Sequence, residues 1–203
     1  MHFDMRQLDK GQRYKIVSAC VTPRPIAWVS SLSAAGIANV APFSFFNVIG
    51  HDPPTVAIGM VAHGRGRLKD TPANIRETGE FVINLVDESH AGVMNMTSAE
   101  AEPEVDEGAL AGLALAPAVA VKPPRIATAP ASFECRTTHF IETGAHQVAV
   151  LAEVLHAHVR DEFISDAERL LIDVPAMKLI ARMHGAGWYA RQTDLFEMLR
   201  PQG

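Results

Sequence analysis

Alternation of apolar and polar positions is the clearest pattern in this chain. Gln147 to Val159 (QVAVLAEVLHAHV) alternates well enough to predict one long strand. Ser132 to Ile141 carries the aromatic and β-branched residues of a second strand, and Glu142-Thr143-Gly144-Ala145 offers a turn between them. Nearer the start, a proline-fixed entry, Val21 to Pro25, leads into a predicted strand over Ile26–Ser30. Ser33 to Gly36 reads as a hairpin turn, and Ile37–Val40 as the return strand, with Pro42 ending it or marking an edge or bulge. Thr55–Met60 and Phe81–Leu85 are further strands. Between them Thr71-Pro72 reads as a helix cap followed by the first helical position, giving a short helix over about Pro72–Thr78 that Gly79 ends.

From Asp87 to about Ala116 alanines, acids and methionines replace β-branched residues, which predicts helices and loops inserted between strands, with Glu100 to Glu107 an exposed acidic segment. Pro123-Pro124 and Pro130 make an extended crossing, and a short helix is expected near Pro175. The tail from Arg191 reads as an extension packed on a neighbour, or frayed. Many short strands with turn residues and a few helices favour a mainly β fold, a β-barrel with helical additions, in a single domain.

Composition narrows the function without naming it. The apolar fraction is 48 % and the charged fraction 20 %, ordinary for a globular protein. A net charge of −5 argues against non-specific nucleic-acid binding. The start, MHFDMRQLDKGQRYK, is too polar for a signal peptide, and prolines break the greasiest run, so no membrane segment is expected. Cys20 and Cys135, the only cysteines, have no metal-site spacing; two free thiols fit a cytoplasmic setting, and both are expected simply to pack.

Candidate chemistry is concentrated in two stretches. RPIAWVSSLSAAGIANVAPFSFF (Arg24–Phe46) places short polar side chains on a β framework, and Arg65-Gly66-Arg67-Leu68-Lys69-Asp70-Thr71 places cations at a helix entrance. Helix N-termini, cations and hydroxyls together suit a phosphate. Read alone, this loop is better explained as a solvated basic turn with Thr71 as a plain cap. Taken with the strands, the set suits a phosphate-bearing, ring-containing ligand. The chain has no Gly-Lys-Ser/Thr, no Gly-x-Gly-x-x-Gly after a strand and no Gly-x-Ser-x-Gly, which disfavours a Walker loop, a Rossmann domain and a serine hydrolase. His156 and His158 share a strand face, but no third ligand lies nearby in sequence, so no metal site is expected.

In order along the chain, Arg24-Pro25-Ile26-Ala27-Trp28-Val29-Ser30-Ser31, Gly36, Asn39, Ala41 to Phe46, Pro53-Pro54, Lys69-Asp70-Thr71, Asn74-Ile75, Glu80 to Asn84 and the closing Arg182–Tyr189 (RMHGAGWY) resemble the flavin reductase-like family. The resemblance runs from about Val21 to Tyr189 and implies an FMN-binding split β-barrel: a core over about 20–190, a helical insertion at about 87–116 and an extension from 191 to 203. It implies an oxidoreductase that moves a hydride from NAD(P)H to flavin, as a homodimer, in which FMN either cycles as a prosthetic group or leaves reduced to supply a monooxygenase. The alternative is a flavoredoxin-like carrier fed by an electron-donor protein.

The implied FMN contacts are Trp28, Ser30, Ser31, Asn39, Ala41 and Ser44 around the ring and ribityl chain, and Arg65, Arg67, Lys69, Asp70 and Thr71 at the phosphate. His184 and Tyr189 in the closing segment stand equally for flavin contact and for loop packing. Some relatives carry Gly-Asp-His before a strand ending Gly-Glu-Val. Here Gly144-Ala145-His146 and Ala152-Glu153-Val154 stand in those places, so His146 matches as a nicotinamide-proximal candidate and the Asp does not.

Overall fold

The computed structural model describes residues 1–61, 63–64, 67–99 and 111–201. Helix α1 (Lys10–Cys20) precedes strands β1 (Ala27–Leu32), β2 (Ala38–Phe43), β3 (Phe45–His51) and β4 (Pro54–Val61). The short pair β5 (His63–Gly64) and β6 (Arg67–Leu68) leads into α2 (Asp70–Thr78) and β7 (Glu80–Asn84). A 3₁₀ turn, Glu88–His90, runs into α3 (Ala91–Met96), followed by the small strands β8 (Leu115–Ala116) and β9 (Arg125–Ile126). The long hairpin β10 (Ala131–Gly144) and β11 (Gln147–Val159) comes next. Two small pairs end the chain: β12 (Ile164–Asp166) with β13 (Leu171–Ile172), and β14 (Ile180–Arg182) with β15 (Tyr189–Arg191).

Seven strands form one antiparallel sheet in the order β2-β1-β7-β10-β11-β4-β3. The two outermost strands, β2 and β3, are consecutive in sequence and joined only by Ser44. The sheet must therefore curl until its ends meet at that residue. The result is a barrel closed at one corner by covalent continuity and open along the rest of the seam.

Period-two patterning fills both sides of this sheet. Ala27 and Val29 of β1, Phe81 and Ile83 of β7, Val148 and Val150 of β11 and Val56 and Ile58 of β4 pack inside the barrel, and Ile75 of α2 plugs it. Each such side chain contributes roughly 1.5–3 kcal/mol on full burial. The alternate residues Ile26 and Trp28 face a second core with Val40, Met94, Ile126 and Ile180, where α3 and the β9 segment cover the outer face.

The predicted strands largely coincide with those observed, and β11 has the predicted bounds. Gly36 turns the first hairpin with φ +82°, a conformation that costs other residues a Cβ clash. Gly79 ends α2 in the left-handed region, where its N–H bonds Ile75. Pro42 sits in β2, an outermost strand of the sheet, the kind of position in which proline is tolerated.

Four expectations need correction. Helix α2 begins at Asp70, not Pro72, and its N-cap is Lys69, not Thr71. Pro72 is tolerated there because the first-turn N–H groups have no intrahelical acceptor in any case. The pattern did not anticipate α1, whose sides are similarly polar, although Asp9 and Gln12 form a reciprocal capping box at its start. Nor did it anticipate β3, because no turn residue separates it from β2. Cys20 is exposed at the end of α1, whereas Cys135 is buried in the barrel core. The acidic stretch expected over Glu100–Glu107 lies outside the described residues.

Candidate functional site

The corner at Ser44 divides two clefts. The larger, about 360 Å³, is lined by Pro42 to Phe45 at the corner, Gly59 to Val61 of β4, Gln147 to Ala149 of β11, Tyr14 of α1, and Lys69. The smaller, about 190 Å³, shares Pro42, Phe43 and Ser44 and adds Met94, Asn95, Arg182 and Tyr189 among others. Strand β2 carries the chain to this corner, while β4 and the start of β11 form the adjoining barrel rim. Lys69 stands at the N-terminus of α2, where its side chain makes no capping hydrogen bond to the helix. A cationic side chain beside a helix N-terminus combines two sources of attraction for an anion.

Arg24 fixes the corner from behind. It is only 5 % exposed. Its guanidinium donates to the carbonyls of Ser18, Val21 (2.8 Å) and Met183 (2.9 Å), and Nε lies 3.5 Å from Ser44 Oγ. Its cation also lies 5.8 Å from the centre of the Phe45 ring. One buried charge thus ties α1, the closing segment and the Ser44 corner together. In the closing segment, Arg182 stacks over Tyr189 at 4.9 Å and donates to the Trp188 and Gly185 carbonyls.

The structure divides the sequence-predicted residues into three groups. Ser44, Lys69 and Tyr189 line the clefts. His146 lies at the tip of the β10–β11 hairpin, next to Gln147 of the larger cleft. His184 stacks on Trp188, with ring centres 6.4 Å apart.

The second group is built into the framework. Trp28 is fully enclosed and its Nε1 donates to Thr97 Oγ1 at 2.9 Å. Ser30 donates to the Pro124 carbonyl, and Ser31 Oγ accepts from Asn74 Nδ2 at 3.1 Å; both serines are 0 % exposed. Asn39 Nδ2 donates to Thr71 Oγ1 at 2.7 Å, linking β2 to α2. Ala41 lies half-buried in β2 opposite Val29, and Asp70 opens α2. These residues meet protein groups because β1 is flanked by β2 and β7 and covered on both faces. The third group is not described: Arg65 lies outside the described residues, as does the side chain of Arg67.

Sequence reasoning passed over Tyr14, Arg24, Gly59, Gln147 and Arg182 as site residues. Arg24 was legible as part of the Arg-Pro-Ile-Ala-Trp stretch, but no pattern announces that a charged residue will be buried. Sequence reasoning also missed a buried carboxylate hydrogen-bonded to an imidazole on the outer face. Glu134 is fully enclosed, accepts from the backbone N–H groups of Val119 (2.7 Å), Ala120 and Val121 (3.2 Å), and pairs with His158 Nε2 at 2.6 Å. Burial raises its pKa, but the His158 bond and the Val119 and Ala120 N–H groups outweigh it and hold the carboxyl below its usual range.

Residues 19–174 match the flavin reductase like domain. An uncharacterised protein of Deinococcus radiodurans is 38 % identical over 98 % of this chain and 89 % of its own length. Among solved structures, the 2-nitrobenzoate 2-nitroreductase NbaA of Pseudomonas fluorescens superposes with a TM-score of 0.89 at 34 % identity, covering 99 % of this chain and 96 % of its own. Component B of nitrilotriacetate monooxygenase from Bacillus cereus superposes with a TM-score of 0.90 at 28 % identity, covering 98 % of each chain. The curled sheet closed at Ser44 is the split β-barrel of flavin reductases. The chain belongs to the flavin reductase-like family.

Proposed function

We propose that this protein is an FMN-binding flavin reductase that takes a hydride from NAD(P)H and passes electrons onward, with a monooxygenase as the receiving partner. The observation that carries this reading is the larger cleft, in which aromatic walls and Lys69 converge at the Ser44 corner. Its volume, about 360 Å³, lies within the range of small-molecule sites. The residues fit the cofactor's two ends. Phe43, Phe45 and Met60 offer an apolar bed, and Lys69 at the α2 N-terminus offers a charge-assisted phosphate anchor. Gly59 keeps the bed open: a Cβ there would come within 3.1 Å of Phe45 Cβ.

FMN, when bound, supplies the hydride-accepting ring, so the chain needs no acid–base triad. In this reading Ser44 and the corner backbone orient the ring, Lys69 and the backbone N–H of Asp70 hold the phosphate end, and Tyr189 and His184 close the far side. Ser30, Ser31, Asn39 and Thr71 act one layer back by locking β1, β2 and α2. Trp28 and Ala41 keep that framework packed. His146, beside the cleft mouth, faces the arriving nicotinamide. Strand β3 leaves an open edge with Val48 and Ile49 exposed, which supports a homodimer. The two unbridged cysteines support a cytoplasmic setting. The Bacillus cereus protein, as a monooxygenase component, supports the partner assignment.

The test is the visible spectrum of the purified protein under anaerobic conditions, with NADH and NADPH added separately. A flavin band bleached by one of them supports the reductase and identifies its donor. A flavin band that ignores both, but bleaches with a reduced protein donor, replaces this reading with a flavoredoxin-type carrier. A colourless protein that oxidises neither nucleotide when FMN is added overturns it.

A further inference from the structure

The chain leaves β15 at Arg191 and runs on without helix or strand through residues 192–201. Its large apolar side chains face solvent: Leu195, Phe196, Met198 and Leu199 are 64 %, 84 %, 81 % and 84 % exposed. Among the described residues this segment makes no hydrogen bond. Single exposed apolar residues are ordinary on a protein surface, whereas a run of them marks a place where something binds. Nothing in the proposed flavin chemistry uses this run.

Its pattern is helical. On a helix Leu195, Phe196, Met198 and Leu199 share one side, and Asp194, Glu197 and Arg200 the other. Asp194 followed three residues later by Glu197 is a helix-start signature, Arg200 falls in the last turn, and Pro201 stops it. The spacing is not the period-two of a strand, so the segment does not suit the open β3 edge. A helix this short falls below the roughly 12–15 residues that hold by themselves in water, so its apolar side needs another surface to fold on.

A matching surface lies on α1. Tyr14 and Val17 stand one turn apart and Val21 follows at the helix end, and all three are exposed. Tyr14 meets the Phe45 ring, with centres 6.2 Å apart, so this stripe runs into the start of β3. Lys10, Arg13 and Lys15 make α1 basic, with no acid along it, whereas the segment sets Asp194 and Glu197 against Arg200. Apolar side thus faces apolar stripe, and acids face bases. Within one chain neither surface covers the other, although Arg24 holds α1 and the closing segment together.

We propose, on the homodimeric reading, that residues 194–200 fold as an amphipathic helix along α1 of the second copy. Two such exchanges about a two-fold axis cover the exposed surfaces of both copies. The docked helix adjoins the larger cleft, because Tyr14 lines it, and the second copy then forms part of the cleft's mouth.

The test places the photoreactive analogue p-benzoylphenylalanine at Phe196 of the full chain and irradiates the purified protein. The expected result is a covalent dimer on a denaturing gel, with the attachment mapped by mass spectrometry to α1. Phe196→Ser, at an exposed position that leaves the barrel intact, should raise the dimer's dissociation constant about ten-fold or more by sedimentation. A protein that sediments as a dimer but attaches elsewhere, or only within one chain, overturns the docking and leaves the homodimer standing. An unchanged dissociation constant in Phe196→Ser does the same. A protein that sediments as a monomer overturns both.

Discussion

Glu134 offers a quantitative test of how the fold tolerates charge inside it. Its carboxylate is enclosed, yet it is surrounded by four donors: three successive backbone N–H groups and His158 Nε2. Glu134→Ala removes all four acceptor contacts. Val119 and Ala120 are exposed, so water can replace the bond at each. The Val121 N–H is buried and would be left without a partner, at about 1–3 kcal/mol. Loss of the charge-assisted His158 bond adds about 1.5–3 kcal/mol. Together these give about 2.5–6 kcal/mol. That is a large part of the ~5–15 kcal/mol that holds a domain folded. Glu134→Gln keeps the shape and one oxygen but turns an amide donor toward other donors, and should cost about 1.5–3 kcal/mol.

The assay is urea unfolding followed by circular dichroism. At a slope of about 2–3 kcal/mol/M, the Ala variant's midpoint should fall by about 1–3 M with the slope unchanged. Acidity gives a second readout. The folded pKa of Glu134 lies below its ordinary value, so its contribution is fully present above the unfolded pKa of about 4.3 and is lost as pH falls through the folded value. The gap between wild type and Glu134→Gln should therefore narrow below about pH 4. A Gln variant as stable as wild type at neutral pH would refute the reasoning, as would a gap that does not change on acidification.

Three shorter predictions concern the site and the thiols. Lys69→Ala should weaken FMN about ten- to a hundred-fold by fluorescence titration while leaving riboflavin nearly untouched, since only FMN carries the phosphate; equal losses would remove Lys69 from the phosphate site. Arg24→Met should lower the melting temperature by about 5–15 °C, because it leaves the carbonyls of Ser18, Val21 and Met183 without their shared donor; a change within 1–2 °C would show, on the same scale, that those bonds are replaced. A thiol reagent should label Cys20 rapidly and Cys135 only after unfolding, because burial and then the nearby Glu134 charge push the Cys135 thiol well above its ordinary pKa; rapid labelling of both in the native protein would contradict the placement of Cys135.

The site was legible in residue types more than in residue positions. Lys69, Ser44 and Tyr189 were named from sequence and do line the clefts. Ser30 and Ser31 were named on the same grounds, and their side chains are buried in strand β1. A strand serine reads identically in sequence whether its partner is a ligand, a loop carbonyl, as for Ser30, or a helix side chain, as for Ser31. Glu134 is a similar case: alternation along β10 predicts its face, but its donors come from Val119–Val121, which only the chain's return path brings near.

Local elements followed from sequence because their causes are local. The β11 bounds come from a long run whose alternation is sufficient for a strand, and the turn at Gly36 and the stop at Gly79 from backbone angles that glycine adopts without strain. Helix α1 and strand β3 escaped because one lacks a dominant apolar side and the other lacks a turn before it. Closure of the barrel at Ser44, and the meeting of Tyr14, Lys69 and Gln147 in one cleft, required the strand order. Strand order is fixed by long-range pairing and by the shared burial of distant faces, which no short window of sequence contains.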